Sequence, residues 1–439
     1  MILDWFDLLG KGCKSLGPEE KFLLIRLVYN QSSEEDVTLP TTPKDRAKAL
    51  GTSLRALQSL EGILKDKNML PKKITLLDKM KKKGRYQLIE GVERLISRDK
   101  KISDGVDVNS KNVAIVKLLL VDDKLAKENR LERAAVRLWL MVLVAHSNEN
   151  GVVSGVSIAD FNRLLGKFAK DRHRSQLSLL TRLRIIIGYK SGFTGKVLFG
   201  KMKGEYVLNG KHPLLSGGRY SKYDLAIASE RANEKLLAFR MVRYATALQH
   251  PSEVLPLLKE LGEHIVASDK NGNADRVLGK AFFALRESLK GEELSCHLQQ
   301  YLMNTSLAML RAMGDYQISL ETAVRYIDYR ELFSKAFIKE VASEVLVIDN
   351  LDNEAAQSQT KTFFENHLSC SSWSEGVSGS NATIEVIRSV GLVVGCALCV
   401  TAKSWRKGEF LKLDSAIDKV ETRVSRVVCC RERLFLFRS

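Results

Sequence analysis

Thr42-Pro43-Lys44-Asp45-Arg46-Ala47-Lys48-Ala49-Leu50-Gly51 and Ser157-Ile158-Ala159-Asp160-Phe161-Asn162-Arg163-Leu164-Leu165-Gly166 stand 115 residues apart and carry one pattern. Each opens with a hydroxyl residue, has Asp three places on, and closes with Leu-Gly. That spacing is a helix start: the hydroxyl accepts a backbone N–H, and the carboxylate sits on the positive end of the helix dipole. Pro43 falls in the first turn, where its missing N–H has no helical partner to lose. The closing glycine admits the left-handed turn that ends a short helix.

The likeness extends outward. With the offset widened to 120, Leu57, Leu60 and Ile63 match Leu177, Leu180 and Leu183, a core stripe at three-residue spacing that Leu54 joins in the first copy. Lys83-Gly84-Arg85-Tyr86-Gln87-Leu88 matches Lys203-Gly204-Glu205-Tyr206-Val207-Leu208, which reads as the returning strand of a hairpin. Upstream of each unit lies an apolar helix, over 19–29 and 131–146, followed by a short candidate strand at Val37-Thr38-Leu39 and Val152-Val153. The order helix, strand, helix, turn, helix, hairpin therefore occurs twice. It resembles the winged-helix family of helix-turn-helix domains over residues 16–90 and 129–209. The resemblance implies a third helix in the major groove and a hairpin, or wing, along the neighbouring backbone.

Charge agrees with a polyanionic partner. The net charge is +17, and residues 1–220 hold 41 Lys plus Arg against 24 Asp plus Glu, so the whole excess lies in the first half. Residues 161–220 alone carry 13 basic and 2 acidic side chains. Such a field attracts nucleic acid first and an anionic membrane surface second. A plain solubility charge is the alternative.

Under the resemblance, Ser53, Arg55 and Gln58 are the base-reading candidates of the first copy, and Arg172, His173, Arg174 and Gln176 those of the second, with Thr52 and Ser175 beside them. Arg and Gln pair bidentately with guanine and adenine edges. The phosphate candidates are Lys79, Lys81, Lys82, Lys83 and Arg85 on the first wing, and Lys196, Lys201 and Lys203 on the second. Lysines on a flexible wing neutralise phosphates and supply affinity without sequence information. A solvated loop and a protein-only winged helix are the competing readings.

Helices are expected over 222–248, 253–267, 292–313 and 320–346, with Val277, Leu278, Ala281, Phe282, Leu285 and Leu289 forming a further apolar stripe. Six Ser and two Gly among residues 369–381 read as a linker. The uncharged run Ser389–Ala402 spans 14 residues. As a helix it reaches about 21 Å, short of the roughly 30 Å of a bilayer core. It reads as a buried element, with a weak membrane anchor as the minority alternative.

Catalytic and metal motifs are thin. Gly195-Lys196-Val197-Leu198-Phe199-Gly200-Lys201 imitates a phosphate-binding loop, but Met202 stands where a magnesium-ligating Ser or Thr is needed. His367 and Cys370 with Cys396 and Cys399 have zinc-like spacing, yet the last two sit in an apolar run. No two of the seven His lie closer than 14 residues, which excludes paired-His motifs. Seven Cys fit a reducing compartment, and Asp4 and Asp7 sit where a secretory signal carries basic residues.

The expected architecture is mainly α with small β-hairpins: a first winged helix over 1–95, a connector over 96–128, and a second winged helix over 129–217. A helical partner or dimerisation domain over 218–346, a linker over 347–383 and a small C-terminal segment over 384–439 complete it. The expected function is non-enzymatic, site-specific binding of double-stranded DNA in the cytoplasm or nucleoid, with no cofactor and no metal. Tandem winged helices of this kind resemble those of plasmid replication initiators, which implies origin binding; a transcriptional regulator fits equally, and a winged-helix scaffold in a larger complex is the contrasting class.

Overall fold

The computed structural model describes residues 5–10, 15–32, 42–66, 110–148, 150–166, 170–216, 225–227, 237–246, 281, 292–313, 319–338, 382–406, 424–430 and 433–438. These are mainly helical with small antiparallel sheets. The strand expected at 37–39, the first hairpin with Lys79, Lys81, Lys82, Lys83 and Arg85, the helix over 253–267, His367, Cys370 and the Ser-rich stretch lie outside the described residues, as does the 277–289 stripe apart from Ala281. The chain divides into two compact units, 1–189 with 203–222, and 190–202 with 223–439.

The first unit contains both repeats around one core. Helices α1 (Pro18–Ser32), α2 (Pro43–Ala49) and α3 (Leu54–Asp66) form the first. Helices α4 (Ser110–Val121) and α5 (Asp123–Glu128) follow. The second repeat runs through α6 (Ala134–Ala145), β1 (Val152–Val153), α7 (Ile158–Leu164), α8 (Lys170–Arg182) and β2 (Ile186–Lys190). Beyond the hairpin β3 (Phe193–Thr194) and β4 (Lys201–Met202), it resumes with β5 (Glu205–Leu208) and the short α9 (Pro213–Ser216). The sheet order is β1-β5-β2, with Val152 opposite Val207 and Val153 opposite Tyr206.

Local chemistry explains the short helices. Thr42 accepts a hydrogen bond from the Asp45 N–H, and Ser157 and Asp160 form a complete capping box. Gly51 and Gly166 follow with φ of +61° and +82°, the left-handed turns that the Leu-Gly endings require. Packing does the rest: α6 is an almost wholly buried rod against α1 and α4. Each fully buried Leu, Val or Met on it stabilises by about 1.5–3 kcal/mol relative to exposure. Residues 110–128, expected as connector, instead contribute Ile115, Val116, Leu119, Leu120 and Ala126 to this core.

A buried guanidinium adjusts the same core. Arg137 on α6 is 1% exposed and donates to the carbonyls of Leu119 and Leu120 and to the Asp123 carboxylate, which also receives Arg26. Burial would raise the Asp123 pKa, but the two arginines outweigh it and hold the carboxyl below its ordinary range.

The second unit is built on α11 (Glu292–Met313), whose ends match the sequence expectation. Packed with it are α10 (Leu237–Thr246) and α14 (Ala382–Arg406), the latter also touching α12 (Leu320–Arg325). The helix expected over 320–346 is broken: α12 stops at Arg325, and α13 (Tyr329–Leu332) restarts after a turn. The one expected over 222–248 starts instead as a strand, β6 (Leu225–Ile227), before α10 begins. A sheet of order β6-β8-β7 joins it to β7 (Val424–Cys430) and β8 (Arg433–Arg438).

The uncharged run is a buried helix face. Val390, Leu392, Val393, Val394, Cys396, Ala397, Leu398, Cys399 and Ala402 of α14 all lie in the core of this unit. Cβ atoms at Gly391 and Gly395 would come within 2.8 Å of the Tyr329 hydroxyl and 2.7 Å of Val324, so the glycines admit the chain that α14 packs against. Among the described residues no helix is long and apolar enough to cross a membrane. The missing charges of this run go with its packing against protein. Cys396 and Cys399 are buried thiols outside any disulfide, and burial raises the Cys396 pKa.

Candidate nucleic-acid interface

The candidate surface lies on the third helices, α3 and α8. In α3 the inward stripe is Ala56, Leu57, Leu60 and Leu64, spaced for a 3.6-residue turn. Leu54 is 37% exposed and Ile63 only partly buried, so the expected three-residue stripe drifts off the core at both ends. Arg55 and Gln58 are left exposed near the N-terminal end. Ser53 is exposed too, but its hydroxyl donates to Glu19 at 3.0 Å and accepts from the Ala56 N–H at 3.2 Å. It therefore caps α3 and ties it to α1 rather than standing free to read a base.

In α8, Arg172, Arg174 and Ser175 are exposed. His173 and Gln176, both offered as base readers, are 4% and 8% exposed and belong to the inner face with Leu180. The physical reason is an aromatic pocket. The His173 ring lies 5.1 Å from Trp139 and 6.3 Å from Phe161 between ring centres, and its Nε2 is hydrogen-bonded to the Tyr206 hydroxyl at 3.1 Å. Burial lowers the His173 pKa, so the imidazole is the neutral partner of a buried phenol.

The second wing differs from expectation most. Lys196 and Lys201 are exposed side chains on a fixed frame, because the hairpin tip is packed inside the second unit. Phe193, Leu198 and Phe199 are buried in that unit's core. The Phe199 N–H donates to the Leu332 carbonyl, and the Ser334 N–H donates to that of Val197, both at 2.7 Å. The Ser334 hydroxyl donates to the Lys196 carbonyl. Phe199 and Gly200 take φ of +59° and +48° to make this turn. Lys203, back in the first unit, is exposed and donates to the Gly155 carbonyl. These lysines are thus not carried on a free, flexible wing.

Other exposed cations surround the third helices. Lys44 and Lys48 lie on α2, and Arg182 and Arg184 at the end of α8, Arg184 with φ of +56°. Lys44 and Lys48 sit within the quoted repeat segment, so the signal for them was present; nothing in the sequence marks Arg184. Arg163, by contrast, is engaged with the Asp160 carboxylate. Among the described residues no group of His, Cys, Asp or Glu is placed to hold a metal ion.

No family model, curated protein or solved structure matches the chain. The functional reading therefore rests on the residues themselves.

Proposed function

We propose that the first unit is a tandem winged-helix reader of duplex DNA, with α3 and α8 as recognition helices and no catalytic role. The observation that carries this reading is the exposure of Arg55 and Gln58 on one third helix, and of Arg172 and Arg174 on the other, each near an N-terminal end. Their helices follow equivalent capped helices, and in the second repeat the strand order β1-β5-β2 fits the winged-helix pattern. The basic excess of residues 1–220 provides the long-range attraction. Arginine supplies base selectivity through bidentate pairing, and the lysines around it supply phosphate contacts.

The biological role that follows is transcriptional regulation or plasmid or phage replication initiation, with the second unit as the surface for a homodimer or protein partner. A scaffold role for the repeats has one observation in its favour, the hairpin tip packed away in the second unit.

Fluorescence anisotropy of the full chain on a mixed-sequence duplex distinguishes the two. DNA binding requires affinity that falls steeply between about 50 and 200 mM salt. It also requires a loss of about tenfold or more when Arg172 and Arg174 are both replaced by alanine. Salt-independent or absent binding overturns the proposal and leaves the scaffold.

A further inference from the structure

Between β2 and β5 the chain leaves the first unit, and residues 190–202 belong to the second. They are held there at both ends of the segment. At the tip, Leu198 is 0% exposed and forms an antiparallel bridge with Phe333, flanked by the backbone hydrogen bonds to Leu332 and from Ser334. The ring of Phe193 lies 5.0 Å from that of His297, and the ring of Phe199 5.9 Å from that of Tyr301, both on α11. At the base, Lys190 is 3% exposed and donates from Nζ to the Gln300 side-chain oxygen at 2.7 Å. The Ser191 hydroxyl donates to Glu293 at 3.0 Å, and the Ser191 carbonyl is hydrogen-bonded to His297 Nε2 at 3.3 Å. Glu293, His297, Gln300 and Tyr301 are spaced to share one face of α11, so one helix face receives both the apolar and the polar part of the segment.

The segment is also strained to fit. Phe199 holds φ of +59°, which a bulky side chain rarely adopts. A Cβ on Gly200 would lie 3.2 Å from the Ser334 Cα, and one on Gly195 would lie 1.9 Å from the Leu198 carbonyl oxygen. A hairpin in solvent would relax the Phe199 backbone; it persists only where surrounding contacts over-determine it, as they do in clamps and switches. In the winged-helix reading this same segment is the second wing. With its tip bonded to Leu332 and Ser334 and its phenylalanines in the core of the second unit, it cannot follow the phosphates beside α8.

We infer that the second unit is an autoinhibitory clamp on DNA binding: it withholds the wing of the second repeat, and release of residues 190–202 brings Lys196 and Lys201 onto the phosphates. This rests on the DNA-binding reading above and adds its regulation. Clamped and released wing are the two states of one switch. A ligand of the second unit that binds better with the seat on α11 and α13 empty raises DNA affinity by that difference. Duplex DNA empties the seat by the same factor, because coupling between two binding events is reciprocal.

The test uses the full chain with Leu198→Asp, which places a charge in the buried seat and expels the tip. Gly200→Val, which opposes only the clamped turn, is the second variant and decides the matter if the first unfolds α11. Hydrogen exchange reads the clamp without DNA: the Phe199 amide is protected in the native chain and exchanges fast in the variant, while α11 stays protected. Anisotropy on a mixed-sequence duplex then reads the consequence. The released chain binds more tightly at low salt, and its logarithmic salt slope steepens by about 1.8, roughly 0.9 for each added phosphate contact. The loss of affinity between about 50 and 200 mM salt therefore deepens by about tenfold. Adding Lys196→Gln and Lys201→Gln to the released chain returns the slope to its native value. Fast exchange of the native Phe199 amide, an unchanged affinity and slope on release, or a gain that survives loss of both lysines overturns the inference. Absence of duplex binding in every variant overturns the DNA reading itself, and is told apart because the exchange pattern still shows the clamp.

Discussion

Replacing Gly166 with alanine tests the close seating of the two repeats. The residue has φ of +82°, which costs an L-amino acid about 1–2 kcal/mol. Its new Cβ would also lie 2.2 Å from the Leu16 carbonyl oxygen and 3.1 Å from the Leu16 carbonyl carbon. Both are backbone atoms, so no side-chain rotation relieves the clash, and overpacking of this kind adds about 1–3 kcal/mol. The total is about 2–5 kcal/mol. Gly155 is the control: its φ is +79°, and a Cβ there meets nothing within 4 Å. Gly155→Ala therefore carries only the backbone cost, and both variants gain the same few tenths from a stiffer unfolded chain. Hydrogen exchange across a urea series, read on peptides from α1 and α7, gives the two stabilities side by side. Equal losses would refute the close approach of Gly166 to Leu16.

Three further outcomes follow from the core and its charges. Leu64→Ala should cost about 2–5 kcal/mol in the same assay and Leu54→Ala less than about 1 kcal/mol, because only the former empties a buried site; the reverse order would place the inward face of α3 elsewhere. The Asp123 carboxyl is held below its ordinary value of 3.8, so its contribution is complete above about pH 4 and is lost as pH falls through the lowered value. Asp123→Asn should be less stable at neutral pH and show a shallower acid transition, measured by urea midpoints at pH 7 and pH 3. His146 is pushed from 6.5 down to about 4, chiefly by burial and then by Lys21, so the unfolded chain binds its proton first and stability drops as pH falls from 6.5 toward 4. His146→Gln should reduce that drop between pH 7 and 5; an unchanged slope would show that His146 is solvated.

The caps were fully legible, because a hydroxyl, an acid three residues on and a closing Leu-Gly are local signals with local consequences. The inner face of α8 was only half legible. Leu180 announces itself, but His173 and Gln176 look like surface residues until Trp139, Phe161 and Tyr206 are seen to close over the imidazole. Spacing counted in threes put Leu54 inward, where the 3.6-residue turn selects Leu64 instead. Residues 190–202 carry no local mark of their destination. Phe193, Leu198 and Phe199 read as ordinary wing positions, and only partners such as Leu332 and Ser334, far along the chain, bury them. The same holds for β6, whose pairing with β8 joins distant segments.

That last pairing sets an order of events during synthesis. Leu225, Ala226 and Ile227 lie opposite Phe437, Leu436 and Phe435, so β6 emerges from the ribosome long before its partner exists. The middle strand of this sheet is the last of the three to be translated. Until it arrives, β6 and β7 present open edges, the kind of surface that recruits strands from other molecules. A stop codon just before Arg433 would strip both outer strands of the one they share.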